Sequence, residues 1–211
     1  MTRQRLHVIF RKGEGTRFLS HLDLQSTLES SMRRARLPLE FSEGFSPRPK
    51  MSLVSPLPLG YTGEREILEI TLHEFLPPGE VLSRLQAAVP EGIAIREVVE
   101  VPVEGKSAAS KLLSASYEVE LPEPVPDLPG RLQSLLDRTT IEVEEERDRT
   151  VRRRNIRPSI LDLHADGDQR FLLTAAYDGG TVRPEQILDL LGLPRDGARI
   201  TRTGIIIAPS G

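Results

Sequence analysis

The stretch Glu64-Arg65-Glu66-Ile67-Leu68-Glu69-Ile70-Thr71-Leu72 decides the fold. Leu68, Ile70 and Leu72 alternate with Glu69 and Thr71, and Ile67 is flanked by charge. A period of two puts apolar groups on one face and polar groups on the other, so this is a half-buried strand. Upstream, Leu6, Val8 and Phe10 alternate in a second strand that runs into Lys12-Gly13-Glu14-Gly15. Between the two, Leu24, Leu28, Met32 and Ala35 recur at helical spacing, with Leu22 beside them. Ser20 is the expected N-cap and Asp23 its capping-box partner, on the helix end that favours negative charge. Arg33, Arg34 and Arg36 suit the opposite end, and Pro38 stops the helix.

Residues 37–63 hold five prolines and three glycines. They leave room for short strands at Leu39–Phe41 and Met51–Val54 and are otherwise loop. A loop that long inside a compact domain is usually functional or mobile. Downstream, Pro77-Pro78 opens a helix with the stripe Val81, Leu82, Leu85 and Val89, and Ile93–Val101 is a strand. The order β-α-β-β-α-β is that of a ferredoxin-like domain.

The second half repeats the order but not the residues. Ser114–Leu121 is a strand, Pro129–Arg138 a helix and Ile141–Glu145 a strand. Ser159–His164 and Phe171–Ala176 form a hairpin through Asp166-Gly167-Asp168. Pro184–Leu191 is a helix and Ala198–Ile207 a last strand. The expected class is therefore α+β, with two tandem ferredoxin-like domains at 1–102 and 113–211. The second carries an extra or split strand, and Pro102–Leu113 is the linker.

Composition narrows the function. The 211 residues are 38% hydrophobic, ordinary for a globular chain. No apolar stretch is long enough for a transmembrane helix, and the N-terminus has no apolar core of a secretory signal. The expectation is a cytoplasmic protein with no membrane association. There is no cysteine, which excludes disulfides, thiolate zinc sites and Cys-ligated iron–sulfur clusters. The four histidines are scattered, so neither a metal nor another cofactor is expected. Walker, Rossmann, His-Glu-x-x-His and nucleophile-elbow patterns are all missing.

Net charge is −3, but it is segregated. Residues 1–60 carry ten basic and five acidic groups, and residues 151–211 nine and seven. The middle, 61–150, is strongly acidic. Only four basic residues are Lys and 24 are Arg, a ratio that a GC-rich genome also produces.

Three constellations could carry chemistry. In Arg17-Phe18-Leu19-Ser20-His21-Leu22-Asp23, His21 falls at the first helical position, where a neutral imidazole is favoured. It is either a base or a capping residue. Phe41-Ser42-Glu43-Gly44-Phe45-Ser46-Pro47-Arg48-Pro49-Lys50 combines aromatics for stacking on unpaired bases with cations for phosphate. It equally fits a rigid surface loop anchored by its Phe residues. Arg149, Arg152, Arg153, Arg154 and Arg157 form a guanidinium cluster suited to phosphate. They equally fit a hairpin whose basic strand neutralises Glu144, Glu145, Glu146 and Asp148. The candidate RNA contacts are Arg17, His21, Phe45, Arg48, Lys50, Arg152, Arg153, Arg154 and Arg157, with His21 the one catalytic candidate.

The first two motifs, with Arg33-Arg34-Ala35, Leu37-Pro38 and Ser55-Pro56-Leu57-Pro58-Leu59-Gly60, resemble the radical-SAM-linked proteins, a DUF2344-type domain of unknown function. Asn155-Ile156-Arg157-Pro158 resembles a later motif of that family, where Asp is expected in place of Asn155. The resemblance covers essentially the whole chain. It implies a separate radical S-adenosylmethionine protein as partner and, from the family's gene neighbourhoods, RNA or a ribonucleoprotein as target. A chain without Cys cannot hold the three-Cys cluster of that chemistry, so the chemistry would belong to the partner. The tandem order also resembles CRISPR repeat-processing endoribonucleases, at the level of fold alone.

Three functions follow as expectations. The first is a non-catalytic RNA-binding accessory module. The second is a protein-docking module whose surface is the loop 41–60. The third is a metal-independent endoribonuclease with His21 as general base and Arg17 or Lys50 steadying the phosphorane.

Overall fold

The computed structural model describes residues 3–147, 150–177 and 181–209; the side chains of 145–147 and 150–152 lie outside that description as well. The chain is α+β and divides into two units. One comprises 1–112 with 204–211, the other 113–203.

In the first unit, β1 (Gln4–Lys12) is central. It pairs antiparallel with β3 (Thr62–Leu72) on one side and β4 (Ile93–Val101) on the other. The short β2 (Met51–Leu53) lies antiparallel on β3. Register fixes what faces where. Leu6 opposes Ile70 and Val8 opposes Leu68, and all four are buried. They pack with Leu24, Leu28 and Met32 of α1 (His21–Arg34) and Val81 and Leu85 of α2 (Pro78–Gln86). The other face carries Arg5 opposite Thr71 and His7 opposite Glu69. The alternation read from Glu64–Leu72 is thus the alternation between the face that α1 and α2 cover and the opposite face.

Helix α1 begins as expected: the Ser20 hydroxyl accepts from the Asp23 N–H at 3.2 Å. It ends earlier than Pro38. Leu37 N–H donates to Met32 O and Arg36 N–H to Arg33 O, the paired bonds of a Schellman motif. Arg36 stands in the left-handed region at φ 52°, a place usually held by glycine. The backbone thus reverses two residues before the proline is reached.

The second unit is built on β5 (Leu112–Glu120), antiparallel to β9 (Arg170–Ala176), which is antiparallel to β8 (Ile160–Ala165). The strand order is β10-β5-β9-β8, with β10 (Arg199–Ile207) running from this unit into residues of the first. Helices α3 (Leu128–Leu136) and α4 (Pro184–Leu190) bury Leu128, Leu132, Leu135, Ile187 and Leu188. The extra strand foreseen in this half is half of a hairpin. β6 (Glu142–Arg147) pairs with β7 (Thr150–Asn155) in a two-stranded sheet of its own. This is the hairpin alternative for the arginine run: the basic strand sets Arg153 and Arg152 opposite Glu144 and Glu145, although the run has no apolar alternation to announce a strand.

Candidate nucleic-acid interface

Strand β3 measures the separation of the candidate residues in the first unit. At its start, Gly63 opposes Lys12. The Lys12 side chain is fully buried. Its ammonium donates to the carbonyls of Arg17 at 3.0 Å, Leu19 at 3.2 Å and Tyr61 at 3.3 Å. Gly60 N–H donates to the same Arg17 carbonyl at 3.0 Å. These bonds hold the turn that leads into α1, and so they place Arg17 and His21.

Arg17 pairs with Glu14 at 3.1 Å, and its guanidinium carbon lies 4.7 Å from the centroid of the Phe18 ring. Its Nε and the Nδ1 of His21 are buried with no hydrogen-bond partner among the described residues. Phe18, Leu22 and Leu59 stand exposed around this corner, at 69, 74 and 64% of full accessibility.

The other end of β3 holds the second motif. Glu40 N–H donates to Thr71 O, Thr71 N–H to Lys50 O, and Lys50 N–H to Glu40 O. Phe41 bridges to Pro49, and Ser42 N–H donates to Arg48 O. The loop 42–48 is therefore tied off at its base, with Gly44 at φ 120°, a conformation side chains rarely adopt. Phe45 beside it is wholly exposed, and Arg48 is exposed with no carboxylate paired to it among the described residues. Lys50 donates to Glu40 at 2.8 Å, and Arg3 reaches the same carboxylate oxygen at 2.8 Å. The Lys50 hydrogen bond, helped by the Arg3 charge, holds the Glu40 carboxyl below its ordinary range.

Gly63 and Thr71 are eight residues apart on one strand, about 26 Å at strand rise. The structure thus brings Phe45, Arg48 and Lys50 together, and Arg17 with His21, but does not bring the two groups together. An endoribonuclease that pairs His21 with Lys50 does not fit this geometry. Arg17 remains beside His21.

Three arginines of the cluster in the second unit have described side chains, and each is engaged. Register sets Glu144 opposite Arg153, and the two pair at 3.0 Å on the surface. Arg154 donates to Thr181 O at 2.8 Å. Arg157 donates to Leu136 O at 2.9 Å, capping the last carbonyl of α3. Arg152 opposes Glu145 in register; its side chain and all of Arg149 lie outside the described residues. Asn155 Oδ1 accepts from the N–H groups of Ile141 at 2.9 Å and Arg157 at 3.1 Å. An aspartate oxygen would accept the same two bonds, so the departure at Asn155 costs this turn no acceptor.

With this geometry in place, comparison is informative. A family model described as "Uncharacterized protein conserved in bacteria (DUF2344)" matches residues 5–184. The chain belongs to that family. The match runs from β1 to the first residue of α4 and so takes in both motif-bearing ends of β3 and the 142–155 hairpin. No curated protein matches the chain. Among solved structures, one is described as an unknown protein from Galdieria sulphuraria. It shares 10% identity at a TM-score of 0.29, covering 98% of this chain and 100% of that one.

Two site residues escaped sequence reasoning. Lys12 read as the end of a strand and a loop residue, and nothing in its neighbours signals a buried ammonium. Arg5 read as a polar position of β1, yet it borders a recess on the face of the sheet opposite α1 and α2. Among the described residues, no cluster of three or more His, Asp or Glu is arranged to hold a metal. No described helix is long and apolar enough to cross a membrane.

Proposed function

We propose that this chain is a non-catalytic RNA-binding accessory module that works in the cytoplasm beside a separate radical S-adenosylmethionine protein. One observation carries the RNA half: a tied-off loop presents a fully exposed Phe45 three residues from Arg48, whose guanidinium no described carboxylate neutralises. A bare aromatic ring next to a bare cation is what an unpaired base and its phosphate require. The partner half rests on the resemblance of the motifs to radical-SAM-linked proteins and on the absence of cysteine from the sequence. We read each unit as ferredoxin-like. In support, the first has the order β4-β1-β3-β2, and the second repeats it as β10-β5-β9-β8 with the β6–β7 hairpin inserted.

The test is fluorescence anisotropy with a single-stranded twelve-nucleotide RNA. Phe45→Ala is expected to weaken binding by about 1–3 kcal/mol, roughly 5- to 150-fold. The melting temperature stays unchanged, because the ring is buried against nothing. Equal affinity of the variant and the parent overturns the role of the loop.

A docking role has its own support in the exposed Phe18, Leu22 and Leu59 at the start of α1. Contiguous exposed apolar side chains of this size mark interaction sites. A pull-down of the radical-SAM protein that survives nuclease treatment but is lost in Leu22→Glu favours docking through this corner over RNA bridging.

A further inference from the structure

The face of the first unit's sheet opposite α1 and α2 holds a recess of about 240 Å³ lined by Arg5, Lys50, Met51, Ser52, Glu69 and Thr71. Register explains the set. Arg5 of β1 opposes Thr71 of β3, and Ser52 of β2 opposes Glu69 of β3. The three strands therefore bring a guanidinium and two hydroxyls to one spot, and Lys50 closes it from the base of the 42–48 loop.

The charges in the recess are not equivalent. The Glu69 carboxylate is already engaged: the His7 ring nitrogen lies 3.3 Å from it, and Ala108 N–H donates to it at 3.1 Å. Those bonds, with the field of Arg5, hold it below its ordinary range. Lys50 is paired with Glu40. Arg5 acts on Glu69 through its charge, but among the described residues no hydrogen bond or ion pair holds its guanidinium. It is the cationic donor in this recess whose capacity is left over among the described residues.

We propose that the recess seats one phosphate of the single-stranded RNA whose base stacks on Phe45. The Arg5 guanidinium is its main ligand, with the Thr71 hydroxyl a donor beside it and the Ser52 hydroxyl a second one once it turns from its long 3.4 Å bond to Leu53 O. This rests on the RNA-binding function argued above and adds to it a phosphate site on the sheet itself. A planar guanidinium offers the two parallel N–H groups that a phosphate accepts. The two hydroxyls supply short neutral donors without adding charge. Lys50 links the recess to the loop, since its backbone bonds both Glu40 and Thr71. The strand would then run from the recess over the loop, with its phosphate on the sheet and its base on the exposed ring.

The experiment measures affinity for an oligouridylate twelve-mer over a salt series, for the full chain and four variants. Each phosphate neutralised on a single strand contributes about −0.7 to the slope of log K against log salt. Arg5→Gln is expected to weaken binding roughly tenfold at low salt, the usual worth of one charge-assisted contact, and to flatten the slope by about 0.7. Arg5→Lys is expected to restore the slope but only part of the affinity. Phe45→Ala is expected to lower affinity with the slope intact. Arg33→Gln, on α1 and paired with Glu29, is the charge control and is expected to change neither.

If the parent chain does not bind at low salt, the RNA-binding function itself fails. If Phe45→Ala weakens binding while Arg5→Gln leaves affinity and slope unchanged, the phosphate seat is overturned and RNA binding stands. If Arg33→Gln flattens the slope as much as Arg5→Gln, the effect is general charge and the seat is likewise overturned. A melting curve for each variant separates loss of binding from loss of fold, and Arg5→Lys keeps the test sharp should Arg5→Gln unfold.

Discussion

Two regions of this protein are rich in cations, and they use them in opposite ways. At the end of β3 in the first unit, Arg48 stands beside a bare Phe45 and Arg5 borders an open recess, and among the described residues neither guanidinium is held by a carboxylate. In and just after the β6–β7 hairpin of the second unit, the three arginines whose side chains are described are each engaged. Arg153 meets Glu144 across the ladder, and Arg154 and Arg157 cap backbone carbonyls. Counting charges along the chain ranks the hairpin first as a phosphate binder. Counting what each guanidinium already holds ranks the loop first. A cation serves a ligand only with the donors that the fold has left over.

The same rule runs through the molecule. Arg34 donates to Ala88 O, Arg84 to Arg36 O and Arg131 to Leu191 O. Several of the 24 arginines thus close helix ends, where carbonyls have no intrahelical partner. That is a structural use of the arginine excess, alongside any bias of the genome.

The largest effect expected from breaking this contrast lies at a cation that is wholly internal. Lys12→Met keeps the volume and removes an ammonium that holds three carbonyls. Urea unfolding should show a loss of about 3 kcal/mol or more, since charged hydrogen bonds are worth about 1.5–3 kcal/mol each and do not add fully. Unchanged stability would mean that the turn before α1 is held by other contacts.

A smaller effect sharpens the contrast in the hairpin. Arg154→Ala leaves Thr181 O without its donor and is expected to cost about 1–2 kcal/mol. Arg153→Gln, which loses only a surface pair, should cost about 0–1 kcal/mol. Should both variants keep their stability and lose RNA affinity instead, the two regions would not differ as described.

The smallest effect is on pH dependence at the loop base. Lys50 holds the Glu40 carboxyl below its ordinary value of 4.5. A depressed folded-state value contributes stability that is present above 4.5 and is lost as pH falls through the folded value. Lys50→Met should therefore flatten the acid limb of the stability curve below about pH 4.5 and leave its neutral region little changed. An unaltered acid limb would show that Arg3 alone sustains the shift.

Much of the fold was legible because it is local. Ser20 announced the start of α1, and the alternation at 68–72 announced β3 and its inner face. Asp166-Gly167-Asp168 announced the hairpin of β8 and β9. The motif at 41–50 and the residues Arg17 and His21 were legible as unusual, and the first of these does present an exposed aromatic and cation. What could not be read was the end of α1, since a Schellman turn with Arg36 in the left-handed region has no glycine to mark it. β7 was half legible for a related reason: its residues carry charge in place of a buried stripe, so a basic strand and a phosphate-binding cluster fitted them equally.

By itself the sequence determined the periodicities, the caps, the α+β class and the family, because those depend on neighbours a few residues apart. Only the tertiary structure decided which cations are available. Whether Arg5 stays open, Arg153 is neutralised or Lys12 is buried depends on strand register and on carbonyls brought from distant turns, such as Tyr61 and Thr181. The free energy of a charge is set by the groups within a few ångströms of it. Which groups those are is settled when the chain closes on itself.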